Sequence, residues 1–69
     1  MNNTTKIFNF VAELERAVLT GKTLHVDMVL NMAMNEEDKE LQDVMQFVLH
    51  NVCKDYPEFV DAILERLMK

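Results

Sequence analysis

The sequence predicts an all-α protein, a compact bundle of three to four short helices in a single domain covering residues 1–69. One glycine and one proline leave little room for hairpins or long loops. No stretch alternates apolar and polar residues as a strand does, whereas residues 41–52 place apolar side chains at the i, i+3, i+4, i+7, i+8 and i+11 positions of one helix face. A 69-residue chain offers only a marginal core for its 49% apolar residues, so we expect a homodimer.

The first helix is predicted over about residues 5–20. Thr4 or Thr5 can accept a hydrogen bond from the N–H groups of the first turn, and Gly21 can take the left-handed conformation that ends a helix. The core side is assigned to Ile7, Phe10 or Val11, Leu14, Ala17 and Val18, with Phe8 and Leu19 flanking it. The opposite side, which carries Glu13, Glu15 and Arg16, is expected to face water.

The second helix, over about residues 24–34 with Thr23 as N-cap, is apolar on nearly every side. A helix that is apolar all round is buried all round, and a chain this short has little else to cover the second side. We therefore expect a partner protein or a second copy to contact this helix; the alternative is a central core helix. The expected partner interface consists of Phe8, Phe10, Met28, Met32 and Met34, since aromatic side chains anchor interfaces and methionine suits adaptable ones.

The third helix is predicted over about residues 36–53, with Asn35 as N-cap and acidic residues in the first turn, where the helix dipole favours them. The apolar phase continues across Asn35, so one bent helix over residues 24–53 is the alternative. The acidic residues, which we expect to form a rim around the interface, are Glu36, Glu37, Asp38 and Glu40. Such a cluster is either a solvated helix start or a patch that steers a basic protein partner.

The fourth helix is predicted over about residues 57–68. Lys54 suits the end of the third helix, Pro57 suits a first turn, and Asp55 with Glu58 has the spacing of a capping box. The apolar stripe of this helix is Phe59, Val60, Ile63, Leu64, Leu67 and Met68. The charged side chains Glu58, Asp61, Glu65 and Arg66 are expected to face water.

The net charge of −5, from twelve acidic and seven basic residues, disfavours nucleic acid and anionic membranes as partners, because both are bound through clustered lysine and arginine. A helix-turn-helix is disfavoured too, because the second helix offers only His25 and Asn31 to bases or phosphates. The N-terminal residues lack the pattern of a signal peptide, and no apolar run is long enough to cross a bilayer. We expect a cytoplasmic protein, in keeping with the lone thiol of Cys53.

Catalytic, cofactor and metal sites are not expected. Residues 20–23, TGKT, end like a phosphate-binding loop, but Arg16 stands where that motif requires glycine. The chain has no serine, and Cys53 is expected to be buried and unreactive. His50 and Cys53 lie three residues apart and could share a metal ion, but two ligands are too few to hold it.

In outline, an apolar helix that follows a glycine-containing turn and precedes a longer amphipathic helix, the chain resembles the small helical connector proteins of enteric bacteria that regulate biofilm formation and signalling. The likeness is in apolar residue classes and carries no site residue with it. The function we expect is that of a small non-catalytic protein-interaction module, a bacterial or phage regulator, adaptor or inhibitor that acts through an apolar helical surface. The alternatives are a nucleic-acid-associated transcriptional or biofilm-type regulator and a structural or metal-binding domain.

Overall fold

A computed structural model describes residues 3–68, which form four α-helices. The helices are α1 (Asn3–Thr20), α2 (Thr23–Asn35), α3 (Lys39–Asp55) and α4 (Pro57–Leu67). No strand occurs in this part of the chain, so the all-α prediction is confirmed. The break after Asn35 is confirmed as well, and a single bent helix over residues 24–53 is ruled out.

A glycine turn ends the first helix. Gly21 has a φ of 66°, in the left-handed region that other residues rarely adopt, and its N–H donates to the carbonyl of Ala17 at 3.0 Å. The chain then turns within two residues, and Lys22 rather than the predicted Thr23 is the N-cap of α2. The side chain of Lys22 makes no capping hydrogen bond, so this turn depends on the backbone of Gly21 rather than on a cap.

Asp38 caps α3, in place of the predicted Asn35. Its carboxylate accepts a hydrogen bond from the N–H of Leu41 at 3.2 Å, while Asn35 is the last residue of α2. The prediction of an acidic first turn over residues 36–38 is therefore wrong, because these residues form the non-helical connection that redirects the chain. The first acidic residue inside α3 is Glu40.

Tyr56 joins α3 to α4. Its N–H donates to the carbonyl of Val52 at 2.9 Å, and its carbonyl accepts from the N–H of Phe59 at 3.0 Å, so one residue closes a helix and opens the next. Pro57 lies in the first turn of α4, as predicted, since proline lacks the N–H that a first turn leaves unpaired. The predicted capping box is wrong, because Asp55 is the last residue of α3 and Tyr56 is the N-cap without a side-chain hydrogen bond.

The core is built by all four helices. α1 packs most extensively on α2, and α4 packs on both α2 and α3. The buried apolar residues are Phe10, Leu14, Ala17, Val26, Val29, Ala33, Leu41, Met45, Phe59 and Ile63. Within α1, the core position that periodicity leaves open is taken by Phe10, which is 1% exposed, and not by Val11, which is 39% exposed.

Residues 41–52 are only partly buried, although they have the most regular apolar spacing in the sequence. Leu41 and Met45 are each 2% exposed, whereas Val48 and Val52 are half-buried and Val44 is exposed. One edge of this α3 stripe lies in the core and the other edge reaches the surface. The stripe therefore contributes to the core and also leaves apolar side chains in contact with water.

Candidate functional site

A buried carboxylate links α1 to α2. Glu13 is 6% exposed, and its Oε1 lies 2.5 Å from Nδ1 of His25 on α2. Its Oε2 accepts a hydrogen bond at 3.0 Å from Nη1 of Arg16, three residues later on α1. The prediction that Glu13 faces water is wrong, because this position follows the core residue Phe10 by one helical turn and α2 covers it.

The electrostatics of Glu13 follow from these partners. The hydrogen bond with His25 lowers the pKa of Glu13 from its ordinary value of 4.5, burial opposes the shift, and Arg16 adds to the lowering. A carboxylate–imidazole pair acts as an acid or base only with a substrate within hydrogen-bond reach. Neither Glu13 nor His25 lines the cavities between α1 and α3 that are described below. We therefore interpret the pair as a structural contact between two helices.

A second ion pair joins α4 to α2. Nε and Nη2 of Arg66 donate to Oδ1 and Oδ2 of Asp27 at 2.7 and 2.9 Å, a bidentate arrangement. The hydrogen bond to Asp27 is the main cause that raises the pKa of Arg66. The prediction that Arg66 faces water holds only in part, because its side chain is 33% exposed while its guanidinium is paired with Asp27 of α2. The positive charge of Arg66 is thus paired with a carboxylate of the same chain. A nucleic-acid-binding regulator would need such bases to be available to phosphates.

One of the four acidic residues predicted to form the rim makes hydrogen bonds within the fold. Oε1 of Glu36 accepts from Nζ of Lys6 on α1 at 3.3 Å and from the N–H of Asp38 at 3.1 Å. The side chain of Glu36 is only 9% exposed. This residue fixes the α2–α3 connection against α1, and the exposed members of the predicted rim are Glu37, Asp38 and Glu40.

The five predicted interface residues are divided between different surfaces. Phe10 is 1% exposed and fills the core, so a partner can reach Phe8, which is 70% exposed, but not Phe10. On α2, Met28 and Met34 are exposed and Met32 is half-buried. Phe8 lines a cavity formed by α1 alone, whereas Met32 lines another with residues of α1, α3 and the α2–α3 connection. The aromatic and methionine parts of the predicted interface are therefore separate.

An apolar groove runs along the surface of α1; α3 forms its second wall over residues 11–19, whereas α1 alone lines the part over residues 4–11. It consists of two adjoining cavities of about 230 and 210 Å³ that share Val11. The lining residues are Thr4, Ile7, Phe8, Val11, Leu14, Glu15, Val18, Leu19, Val48, Val52 and Tyr56. We call this feature the α1/α3 groove. Among the lining residues within 3–68, Glu15 carries the one charged side chain.

Large apolar side chains stand exposed along the α1/α3 groove. On α1, Phe8 and Leu19 are 70% and 76% exposed. On α3, Val44 lies one turn before the groove residue Val48, and Phe47 is its direct neighbour. Val44 is 41% exposed and Phe47 is 68% exposed. On α1, Phe8 and Leu19 are therefore exposed parts of the groove lining, and on α3 Val44 continues the line of the groove residues Val48 and Val52.

The sequence patterns do not reveal the α1/α3 groove. Val11, Val18 and Val48 fall within the apolar arcs of their helices, and periodicity alone does not separate the edge of such an arc from its buried centre. The feature of the sequence that could indicate an uncovered apolar surface is the width of the apolar arc of α1. With Phe8 and Leu19 included, the apolar arc of α1 covers roughly 220° of the helix, more than one core face can bury.

His50 and Cys53 do not gather further metal ligands. Within residues 3–68, no three histidine, cysteine, aspartate or glutamate side chains are placed to hold a metal ion. Cys53 is half-buried, and burial raises the pKa of its thiol, which disfavours the nucleophilic thiolate. None of the helices over that same stretch is long and apolar enough to cross a lipid bilayer.

Three features of the surface are candidates for a functional role. They are the α1/α3 groove, the exposed side chains of α2 and the distribution of charge. No protein-family model matches the sequence, and comparison with curated proteins and with solved structures yields no match.

Proposed function

We propose that this protein is a small non-catalytic interaction module that binds a partner protein through the α1/α3 groove. The observation that carries the proposal is the continuity of apolar side chains along the groove, from Phe8 through Val11 to Leu19. Contiguous apolar surface of this kind marks interaction sites, because its burial against another surface is favourable. In a regulator, adaptor or inhibitor, that burial would supply the binding free energy.

Aromatic side chains give the groove the kind of anchor that dominates binding energy. Phe8, Phe47 and Tyr56 are 70%, 68% and 52% exposed. Interface cores are enriched in large aromatic side chains that lose their hydration on binding. Full burial of one phenylalanine contributes on the order of 1.5–3 kcal/mol. We retain Phe8 as an aromatic contact with the partner. Phe47 and Tyr56 replace Phe10, which the sequence predicts to be such a contact.

We propose further that the protein acts as a homodimer through α2. Met28 is 42% exposed, and Met32, one helical turn later, is half-buried. Neither residue lines the α1/α3 groove, so a second copy could cover this pair and leave the groove accessible to a partner. Association is favourable for a 69-residue chain, because so small a fold buries a limited share of its apolar surface.

Affinity capture from the native host with paired variants tests the interaction function. The groove variant is Phe8→Gln with Leu19→Gln, and the α2 control is Leu24→Gln with Met34→Gln. The four side chains are similarly exposed, at 70%, 76%, 64% and 66%, and Leu19 and Met34 are each the next-to-last residue of their helix. Both variants should fold, because exposed helix positions tolerate a polar residue.

We expect a partner captured by the wild type to be lost from the groove variant and retained by the α2 control. Calorimetry on the isolated partner should then show binding weaker by at least about tenfold in the groove variant. Loss of binding in the α2 control alone would place the interface on α2, as the sequence predicts. Unchanged affinity in both variants would contradict the proposal.

A further inference from the structure

We infer that the occupant of the α1/α3 groove is a cationic amphipathic α-helix of the partner protein. This inference rests on the proposed function, since it names the kind of partner segment that the same groove takes. Two features of the groove carry it. Its lining consists of helix α1 throughout and of α3 with Tyr56 in one part, and acidic side chains lie near it.

The walls of the groove favour a helix over an extended segment. α1 and α3 use their backbone N–H and C=O groups in their own hydrogen bonds, so an incoming strand finds no free edge to pair with. The groove extends from Thr4 to Leu19 on α1. At the rise of an α-helix that distance is about 22 Å; the part that α3 also walls, from Val11 to Leu19, is about 12 Å, or roughly two turns of a docked helix.

The apolar side chains of α3 match the spacing of a helical ligand. Val44, Val48 and Val52 recur every four residues, and two of them line the groove. Apolar side chains on one face of a docked helix recur at the same interval, so the side chains of the two helices can interdigitate. A third helix lying on α1 and α3 would thus continue the packing that the bundle already uses.

Acidic side chains border this apolar surface on both helices. The groove acids are Glu15, Glu40, Asp43 and Asp55. Glu15 lines the groove itself, and Asp55 borders a cavity together with the groove residue Tyr56. A ligand that fills the groove would therefore bring its own flanking side chains close to carboxylates at the α1 edge and at the end of α3.

The outer side of α3 adds to the negative charge. Glu40 and Asp43 lie seven and four residues before Phe47, which places them on the Phe47 side of the helix, and both are exposed. The base on that side is Lys54, seven residues after Phe47. A second base, Lys22, lies three residues after the groove residue Leu19, so the four groove acids outnumber two bases.

Three other bases are engaged in ion pairs within the chain. Lys6, Arg16 and Arg66 are each paired with a carboxylate, and none of them lines the groove. At physiological ionic strength, attraction between exposed charges acts over about 8 Å, which covers neighbouring side chains across an interface. Lysine or arginine on a docked helix would meet favourable partners. A second copy or an anionic membrane would bring negative charge towards the groove acids, which is unfavourable.

Three synthetic peptides of about 18 residues, long enough to span the groove as a helix, test the inference. The first carries leucine along one helical face and lysine at every polar position. The second replaces each lysine by glutamate, and the third has the composition of the first in an order that lacks a leucine face. Each labelled peptide is titrated with the full chain, and fluorescence anisotropy gives its dissociation constant at low and at physiological salt.

We expect the lysine peptide to bind at least about tenfold more tightly than either of the other two. The groove variant should lose this binding and the α2 control should keep it. Replacing Glu40 and Asp43 by glutamine should weaken binding of the lysine peptide by roughly two- to fivefold per residue at low salt, and by less at physiological salt, because these charges are exposed.

Other outcomes overturn the inference in distinguishable ways. Equal affinity for the lysine and glutamate peptides, lost in the groove variant, would overturn the cationic assignment and leave groove binding intact. Binding of the lysine peptide that persists in the groove variant would show general attraction to an acidic protein and would overturn the inference too.

The other possible occupants of the groove, a second copy of the chain or a membrane surface, would give different results. If the lysine peptide does not bind, while the groove variant shifts the wild-type sedimentation profile or abolishes binding to phosphatidylglycerol vesicles, the occupant is a second copy or a membrane surface and the inference is wrong. If no peptide binds and the host partner is still captured by the groove variant, the proposed function fails together with the inference.

Discussion

At the scale of single residues, Glu13 shows how a buried charge is accommodated in a small helical fold. One carboxylate oxygen contacts His25 and the other accepts from Arg16, so each has a partner. An unpaired buried carboxylate would be strongly destabilising, whereas a hydrogen-bonded one is tolerated. Because His25 belongs to α2, the contact that satisfies the charge also holds α2 against α1.

Replacing Glu13 by glutamine should change how stability depends on pH in the acid range. The folded-state pKa of Glu13 lies below its ordinary value of 4.5, so the carboxylate stabilises the fold above that pH, and this contribution is lost as pH falls through the lowered pKa. The wild type should therefore exceed the variant in free energy of unfolding at neutral pH, by a margin that shrinks below pH 4.5. Urea unfolding across this range measures the margin.

The matched control is Glu15→Gln, two residues further along α1, because the side chain of Glu15 is exposed. Its stability should follow that of the wild type across the same pH range. A margin between the wild type and Glu13→Gln that stays constant with pH would show that the carboxylate does not provide the stabilisation.

At the scale of the helices, each connection uses a different device. Gly21 ends α1 with a positive φ, Asp38 starts α3 with a side-chain cap, and Pro57 opens α4 after Tyr56. Gly21 and Pro57 can be identified from the sequence because their backbone preferences are intrinsic. The cap of α3 cannot, because Asn35 and Asp38 have equally suitable side chains and their roles depend on where the chain leaves α2.

The variant Asp38→Ala should destabilise the protein by about 1 kcal/mol, because it removes the carboxylate that accepts from the N–H of Leu41. The comparison is Asn35→Ala, the cap expected from the sequence. As the exposed last residue of α2, Asn35 should contribute less than about 0.5 kcal/mol. Chemical denaturation at neutral pH gives both values. A larger effect at Asn35 would mean that α3 begins earlier than residue 39.

At the scale of the whole molecule, a body of 31 × 22 × 21 Å is too small to hide its apolar side chains. Met28 remains exposed on α2, Phe8 and Leu19 remain exposed in the α1/α3 groove, and Phe47 remains exposed on α3. Self-association and partner binding would reduce the same unfavourable contact with water on two different surfaces. Both proposals therefore have a common physical basis and can be tested independently.

The variant Met28→Asp should convert a homodimer into a monomer. A carboxylate placed in an apolar interface loses its hydration without gaining a partner. Because Met28 is 42% exposed in the single chain, the change should lower the stability of the monomer by less than about 1 kcal/mol. Sedimentation equilibrium at micromolar concentrations should show a dissociation constant raised by at least about tenfold.

The control for this experiment is Gln46→Asp, an exposed position on α3 that should leave association unchanged. A wild-type protein that sediments as a monomer at every concentration tested would remove the basis for the dimer. An equal effect of both variants would indicate that added negative charge, and not the α2 surface, controls association.

The sequence by itself predicts the approximate bounds of the helices and leaves their number at three or four. The signals for the helix bounds are apolar spacing, Gly21 and Pro57. Each of them depends only on residues close by in the sequence, so it can be recognised without the tertiary structure. The observed helices begin and end within three residues of the predicted bounds. The same local signals also separate the buried centre of each apolar stripe from its polar side, as for Leu14 and Ala17.

Only the tertiary structure decides what happens at the edges of those stripes. Glu13 of α1 is buried where it contacts His25 of α2, and Arg66 of α4 is paired with Asp27 of α2. The two residues of these pairs are 12 and 39 positions apart in the sequence. No local pattern contains such partners. The α1/α3 groove belongs to the same class of features, since it exists only where α1 and α3 lie side by side and leave part of two apolar arcs uncovered.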